Sequence, residues 1–399
     1  MGSSLHGSRV VLGVTGGIAA YKAIEVTRRL IDAGAHVVPI LTEGAEKFVG
    51  RVTFDALASE KVQTSLWDEH SPIPHTTLGQ NADVVLVAPA TARLLADYRM
   101  GRSDDLLTAT LLATRAPVCI APAMHTEMWE HPAVQDNLAV LRSRGVQVID
   151  PEPGRLAGGD IGFGRLASPT SIVAHVERAL SNRDLAGLRV LVTAGGTKEP
   201  IDPVRVISNR STGKQGYAIA EAAWARGADV TLVTTVGRQT PTGVRAISVE
   251  TAAQMQEAVM AYADTDVIVM AAAVADFRPA ETAQQKIKKT AGEAPEIVFE
   301  KTHDFLVDLG KAKPAHQTLV GFAAETNDLV ANAQGKLERK NLDLIVANDV
   351  SAPDTGFGHD TNQVKILSKD GSVTDTTVTT KRVVADTIWD SVLRVRQSL

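Results

Sequence analysis

Apolar and polar positions follow two periods along this chain, and the periods take turns. Short β-branched runs at residues 10–15, 36–41, 83–88, 118–121 and 146–149 alternate with stretches whose apolar residues recur at helical spacing, such as 21–32 and 106–114. Strand and helix in alternation predict a parallel sheet wound on both faces. The alternation stops at 151–169, which carries Gly154, Gly158, Gly159, Gly162 and Gly164 and few apolar residues. Without a period, that length reads as a flexible flap or a floppy connector. A helix over 171–180 follows, then a polar linker at 181–184. The pattern restarts at Leu188, with strands expected at 189–193, 229–234, 267–271, 319–322 and 344–347. Runs at 364–367 and 373–378 flank Ser368-Lys369-Asp370-Gly371 and read as a β-hairpin. A last helix starts after Thr379 or Thr380 and ends near Val395. The fold class is α/β: two doubly wound parallel-sheet domains, one over 9–181 and one over 186–399.

Composition narrows the partners more than the fold. Of 399 residues, 44% are hydrophobic and 22% charged, the balance of a globular chain. A net charge of −5 argues against a nucleic-acid partner. Cys119 is the only cysteine, so no intrachain disulfide forms, and a reducing cytoplasm is expected. Its apolar neighbours Val118, Ile120 and Ala121 predict a buried thiol. No apolar run is long enough to cross a membrane. Residues 1–8, MGSSLHGS, read as an expression scar outside the fold.

Both halves open alike. Thr15-Gly16-Gly17-Ile18 and Thr193-Ala194-Gly195-Gly196-Thr197 each follow a strand with a Gly pair, which lets backbone approach a phosphate at a helix start. Neither reads GxGxxG, which weakens a dinucleotide oxidoreductase without removing it. Further candidates sit at strand ends: Ala88-Pro89-Ala90-Thr91 and Ala121-Pro122-Ala123-Met124-His125. Asp104-Asp105-Leu106-Leu107-Thr108 opens a helix with paired acids. His75, in the proline-stiffened loop Ser71-Pro72-Ile73-Pro74-His75, is a candidate acid/base or a solvated surface histidine. In the second half, Asn209-Arg210-Ser211-Thr212-Gly213-Lys214 gathers donors at a helix start and suits phosphate or carboxylate. Ala271-Ala272-Ala273-Val274-Ala275-Asp276 ends a strand in small residues and an acid, leaving room for a base or ribose. Lys286-Ile287-Lys288-Lys289 is a basic cluster, and Lys336 and Lys340 share a helix face.

The first-half blocks resemble the flavin-dependent cysteine decarboxylases. The second-half blocks, with Gly321-Phe322-Ala323-Ala324-Glu325-Thr326 and Asn341 to Asp349, resemble the phosphopantothenate–cysteine ligases. Together the chain resembles the bifunctional decarboxylase/ligase family of coenzyme A synthesis. The resemblance implies a flavodoxin-like flavoprotein domain and a Rossmann-like ligase domain. It implies FMN on Gly16, Gly17 and Ile18, with Thr42, Pro89, Ala90, Thr91 and Met124 around it. His75 would be the acid/base, Asp160 and Arg165 charged substrate contacts from the flap, and the flavoprotein site would form between subunits of a trimer. It implies CTP on Ala271, Ala272, Asp276, Lys286, Phe322, Lys336 and Lys340, with Mg2+ facing Asp276. Asn209 would hold the acyl intermediate, and Arg205 and Arg210 the substrate, within ligase contacts that are dimeric. The substrates implied are 4′-phosphopantothenate, L-cysteine and then phosphopantothenoylcysteine.

Three positions depart from that family's pattern. His125 stands where the family has asparagine and is expected to donate a hydrogen bond to the substrate carboxylate. Gly158, in Ala157-Gly158-Gly159-Asp160, stands where the family's flap has a proton-donating cysteine. This leaves open a working ligase whose flavoprotein half is impaired or structural. Thr302-His303-Asp304 replaces Asn-Pro-Asp after Lys301.

Overall fold

The computed structural model describes residues 4–67, 72–288, 296–325, 329–349, 356 and 358–397. The chain divides into two compact units, Gly2–Asn182 and Arg183–Leu399.

The first unit is built on a parallel sheet of β1 (Arg9–Val14), β2 (His36–Leu41), β3 (Val84–Ala90), β4 (Val118–Pro122) and β5 (Gln147–Val148), in the order β2-β1-β3-β4-β5. The period-two alternation in these strands divides the core in two. Val10, Leu12 and Val14 face one layer, with Leu30, Ile172 and Val176 from helices Lys22–Asp32 and Pro169–Leu180. Val11, Val85 and Val87 face the other, with Leu107, Leu111 and Leu138 from helices Leu106–Ala113 and Pro132–Ser143. The strand order reverses between β1 and β3, the crevice where open sheets of this kind bind ligands.

Two expectations are corrected here. Leu5 is 2% exposed and belongs to the core, and His36 N donates to Ser8 O at 2.7 Å, so residues 5–8 are part of the fold. One apolar residue among glycines and serines carries no period to reveal this; residues 1–3 lie outside the described residues. The 151–169 segment is not structureless. It forms an antiparallel hairpin of β6 (Glu152–Arg155) and β7 (Ile161–Arg165), after which a helix capped by Ser168 begins at Pro169. The hairpin is held by backbone pairing rather than apolar side chains, and so has no hydrophobic signature.

The second unit carries an eight-stranded sheet among the described residues. Its strands are β8 (Arg189–Ala194), β9 (Asp229–Thr234), β10 (Arg245–Ser248), β11 (Val267–Met270), β12 (Thr318–Glu325), β13 (Leu344–Asp349), β14 (Val364–Ser368) and β15 (Val373–Asp375). The order is β10-β9-β8-β11-β12-β13-β14-β15, parallel through β13 and antiparallel beyond. The edge strand β10 escaped the sequence reading because it is short and mostly exposed. The last helix, Lys381–Arg396, takes Thr380 as its N-cap and packs on helix Lys214–Ala225, where Trp389 Nε1 donates to Ile219 O at 3.0 Å.

One buried ion pair fixes the β12–β13 register. Lys313 Nζ meets Asp343 Oδ1 at 2.6 Å, with both side chains under a tenth exposed, while Leu319 N donates to Asp343 Oδ2 at 2.8 Å. Asp343→Ala strands a buried ammonium and should destabilise this domain by about 3–5 kcal/mol. Denaturant unfolding checks it; a loss under about 1 kcal/mol would contradict the assignment.

Candidate functional site

Each unit carries a cavity at its strand-order reversal. In the first, the turn after β1 is drawn against β3: Thr15 Oγ1 donates to Pro89 O at 2.8 Å and accepts from Thr91 N at 3.1 Å. A β-carbon at Gly16 would lie 2.7 Å from the Gly44 carbonyl carbon, whereas one at Gly17 would meet only Thr91 Cγ2, at 3.8 Å. Gly16 thus packs backbone on backbone, and Gly17 leaves the turn open toward a cavity of about 690 Å³. That cavity is lined by Gly16, Gly17, Ile18, Thr91, Met124, His125 and Arg165, together with Tyr21, Lys22 and Met128. Ile18, Tyr21 and Met128 are exposed, an apolar rim suited to a flat ring, while the helical start after Gly17 offers N–H groups to a phosphate. These features fit a flavin mononucleotide.

Lys22 reaches Leu166 O at 3.5 Å, and burial, then Arg165, holds its pKa below the usual lysine range. His125 Nδ1 sits 2.5 Å from Glu127 Oε2, and Nε2 sits 3.2 Å from Asp160 Oδ2. The hydrogen bond to Glu127, reinforced by Asp160, raises the imidazole pKa above its ordinary 6.5. The hairpin is docked at this point, because Met124 N donates to Gly164 O at 3.0 Å and Thr126 Oγ1 to Phe163 O at 2.8 Å. Cys119 is fully buried and burial pushes its thiol up to about 12, as its apolar setting predicted.

Four expected flavin-site residues lie elsewhere. Pro89 and Ala90 are buried in β3 and do not line this cavity. Thr42 lines a separate cavity of about 230 Å³ with Trp67, Asp104 and Asp105, where Asp105 forms a capping box with Thr108. His75 lies in helix Pro74–Asn81 rather than a loop, because Pro74 presets the backbone for a first helical turn; Ser71 lies outside the described residues. His75 lines neither cavity, and its buried Nδ1 has no hydrogen-bond partner among the described residues.

In the second unit, the loop after β11 is laced to the loop after β8. Ala273 N donates to Gly195 O at 2.8 Å, Ala275 N to Thr197 Oγ1 at 2.9 Å, and Asn209 Nδ2 to Ala273 O at 3.1 Å. A cavity of about 490 Å³ opens above them, lined by Asn209, Arg210, Ala272, Asp276, Phe322, Lys336 and Lys340 among others. Gly310 admits the Lys340 carbonyl where any side chain would collide, which seats Lys340 at the cavity. Its ammonium pairs with Asp304 Oδ2 at 2.7 Å. Thr302 and His303 also line the cavity, so the departure after Lys301 touches the site, and Thr302 Oγ1 is buried without a partner among the described residues.

Ala271 lines a smaller neighbouring cavity of about 100 Å³ with Ser211, Thr212, Gly213, Lys214, Asn348, Asn362 and Lys381. Sequence reading missed Lys381, whose only local signal is a helix start. Its Nζ donates to Gly356 O at 2.8 Å, and burial, then Lys214, lowers its pKa to about 8. Lys214 is held by Asp360 at 2.6 Å.

Arg205 and Lys286 line neither cavity. Asp202, buried, accepts from the N–H groups of Val204, Arg205 and Ile287, and the Arg205 guanidinium donates to Ile287 O at 2.7 Å. Within this chain Arg205 braces the loop that carries Lys286, which is exposed; Lys289 and Thr326 lie outside the described residues. Asp276 shares the cavity with one other carboxylate, Asp304, which is paired with Lys340, and no group of three metal-ligating side chains occurs among the described residues. Nor is any described helix long and apolar enough to cross a membrane.

Residues 185–395 match the family described as the DNA/pantothenate metabolism flavoprotein C-terminal domain, and residues 2–181 match the flavoprotein family. Over 402 residues the chain is 48% identical to the coenzyme A biosynthesis bifunctional protein CoaBC of Mycobacterium tuberculosis, covering 96% of each. It is 47% identical over 375 residues to the protein of that name from Bacillus subtilis, covering 92% of each. A solved C-terminal domain of a CoaBC protein is 39% identical, with TM-score 0.47, over 55% of this chain and 100% of that one. The FMN-dependent cysteine decarboxylase SpaF is 31% identical, with TM-score 0.39, over 44% of this chain and 97% of that one. With a flavoprotein match over the first cavity and a pantothenate-metabolism match over the second, the chain belongs to the family of coenzyme A biosynthesis bifunctional proteins.

Proposed function

We propose that the second domain joins 4′-phosphopantothenate to L-cysteine at the expense of CTP, and that the first decarboxylates the phosphopantothenoylcysteine so formed to 4′-phosphopantetheine with FMN. The chain is a bifunctional enzyme of coenzyme A synthesis with decarboxylase and ligase activities. The observation that carries the finer reading is the convergence of Asn209, Arg210, Ala272, Asp276, Phe322, Lys336 and Lys340 on one cavity. Small residues at 271–273 leave room for a nucleoside, and Arg210, Lys336 and Lys340 suit its triphosphate. Attack of the pantothenate carboxylate on the α-phosphorus expels pyrophosphate and leaves an acyl-cytidylate, which the cysteine amine opens. That first step brings anions together, so the gathered cations do the stabilising. Magnesium would arrive on the triphosphate, with Asp276 as a single protein contact.

The substrate phosphate fits the smaller cavity, at the start of helix Lys214–Ala225 between Lys214 and Lys381. Loss of the Lys381 charge as pH rises through about 8 should weaken phosphate binding, so the KM for 4′-phosphopantothenate should climb above that pH. Lys381→Arg should flatten the climb, because arginine stays charged, and Lys381→Met should raise KM about tenfold or more at pH 7. A wild-type KM flat across this range would contradict the placement.

FMN would supply a reversible two-electron oxidation of the substrate, and the oxidised substrate then provides the electron sink that an otherwise unactivated carboxylate needs to leave. Gly17 and Ile18 would hold the FMN phosphate, Met124 and Met128 would stand beside its ring, and the hairpin would cover the substrate. His75 lies off its own chain's cavity, which supports a trimer in which it serves a neighbouring copy; the ligase domains we take to be dimeric. A lone buried cysteine suits the cytoplasm. The nucleotide assignment is tested by pyrophosphate release: CTP should support it with 4′-phosphopantothenate and cysteine, and equal release with ATP would refute the CTP reading.

A further inference from the structure

We infer that His125 is the proton donor of the decarboxylase domain, delivering its Nε2 proton to the carbon that loses CO2, and that position 158 is glycine because the imidazole fills that space. The inference rests on the decarboxylase reading above. Decarboxylation breaks a C–C bond and leaves its electron pair on the substrate carbon. That carbon ends with a C–H bond, so one proton must be delivered; the imidazolium becomes neutral imidazole and regains its proton from water. The overall exchange is redox-neutral.

Among the described residues lining the cavity, the titratable groups are Tyr21, Lys22, His125, Arg155 and Arg165. Arginine and tyrosine ordinarily hold their protons too tightly to act as acids near neutrality, and histidine does not; the ammonium of Lys22, its pKa lowered by burial, is turned to Leu166 O. Cys119 is sealed inside β4. His125 stands at the end of β4 as the residue before the short helix Thr126–Glu130, at the cavity wall. Two carboxylates face it from two elements, Glu127 on its own helix and Asp160 on the turn between β6 and β7. Glu127 holds the ring through Nδ1 and Asp160 faces Nε2 at 3.2 Å, so both carboxylates favour the protonated form, and Nε2 is the nitrogen on the side of the hairpin.

Gly158 supplies the independent observation. Its φ lies outside the left-handed region, so the backbone there accepts any residue. A β-carbon added to it would sit 3.1 Å from His125 Nε2 and 3.2 Å from Asp160 Oδ2. The imidazole nitrogen therefore crowds the place where a position-158 side chain would begin. The two departures from the family pattern, His125 and Gly158, are one change seen from both sides.

The test uses the full-length flavin-loaded protein and measures CO2 release from phosphopantothenoylcysteine across pH. Wild type should lose kcat as pH rises through the raised imidazole pKa. His125→Asn keeps a hydrogen-bond donor but carries no titrating proton; it should lower kcat by about 100-fold or more, with KM changed by less than about threefold. Its visible flavin absorbance should persist, showing an intact cavity. His125→Asn with Gly158→Cys should recover about tenfold or more, with the limb moved toward thiol pKa values. A kcat within about threefold of wild type in His125→Asn, or the wild-type pH limb persisting in that variant, would overturn the inference. So would a loss carried by KM and not rescued by the cysteine, which would mark a binding role. No CO2 from the wild type would instead remove the decarboxylase reading, and this inference with it.

Discussion

Asn209→Asp is expected to lower ligase turnover by about 10²–10³-fold while leaving CO2 release from supplied phosphopantothenoylcysteine unchanged. The Asn209 amide donates to two carbonyls of the loop after β11, Ala273 O at 3.1 Å and Val274 O at 3.3 Å. A carboxylate in its place sets acceptor against acceptor and frees the loop that carries Ala272 and Asp276 to the cavity. It also puts a negative charge where the proposed reaction would bring a triphosphate and a carboxylate together. The substitution removes no apolar surface, so the expected change in stability is small beside the change in rate. Separate assays of pyrophosphate and CO2 distinguish the halves. A ligase rate within about tenfold of wild type would show that Asn209 is not needed at this position.

Gly16→Ala should cost the first domain its flavin. The added carbon would lie 2.7 Å from the Gly44 carbonyl carbon and 2.8 Å from its Cα, and backbone on both sides prevents either from yielding. The turn must shift, and with it Gly17 and the Ile18 start, which line the cavity, and the Thr15–Pro89 clasp behind them. Overpacking of this kind costs about 1–3 kcal/mol. Flavin content of the purified variant and its unfolding midpoint are the measurements, and full flavin content at wild-type stability would refute the cradle. Gly17→Ala is the control: its β-carbon meets only Thr91 Cγ2 at 3.8 Å, so stability should hold even where affinity falls.

Sheet strands were legible wherever both faces of a strand are buried, because β1 to β4, β8, β9 and β11 to β13 read as short apolar runs with helices between them. Elements held by backbone alone were not. The β6–β7 hairpin and the edge strand β10 carry few buried side chains, and Leu5 is a single apolar residue in a polar leader. Site residues at strand ends were legible for the same topological reason, since Gly17, Thr91, Met124, His125, Ala272 and Asp276 all follow a strand, and Phe322 lies in the C-terminal half of one. Residues placed by long-range contacts were hidden. Lys381 reaches the second site from the far end of the chain, and Asp202 turns Arg205 toward Ile287 rather than into a cavity. The two departures at His125 and Gly158 were visible as letters, but only their 3.1 Å approach makes them one feature.

The most direct test of the account is the mass of the final product when purified protein receives 4′-phosphopantothenate, L-cysteine, CTP and Mg2+. The account predicts 4′-phosphopantetheine, formed through phosphopantothenoylcysteine without any added enzyme. Product that stops at phosphopantothenoylcysteine would contradict it, leaving a ligase joined to a flavoprotein domain that does not decarboxylate.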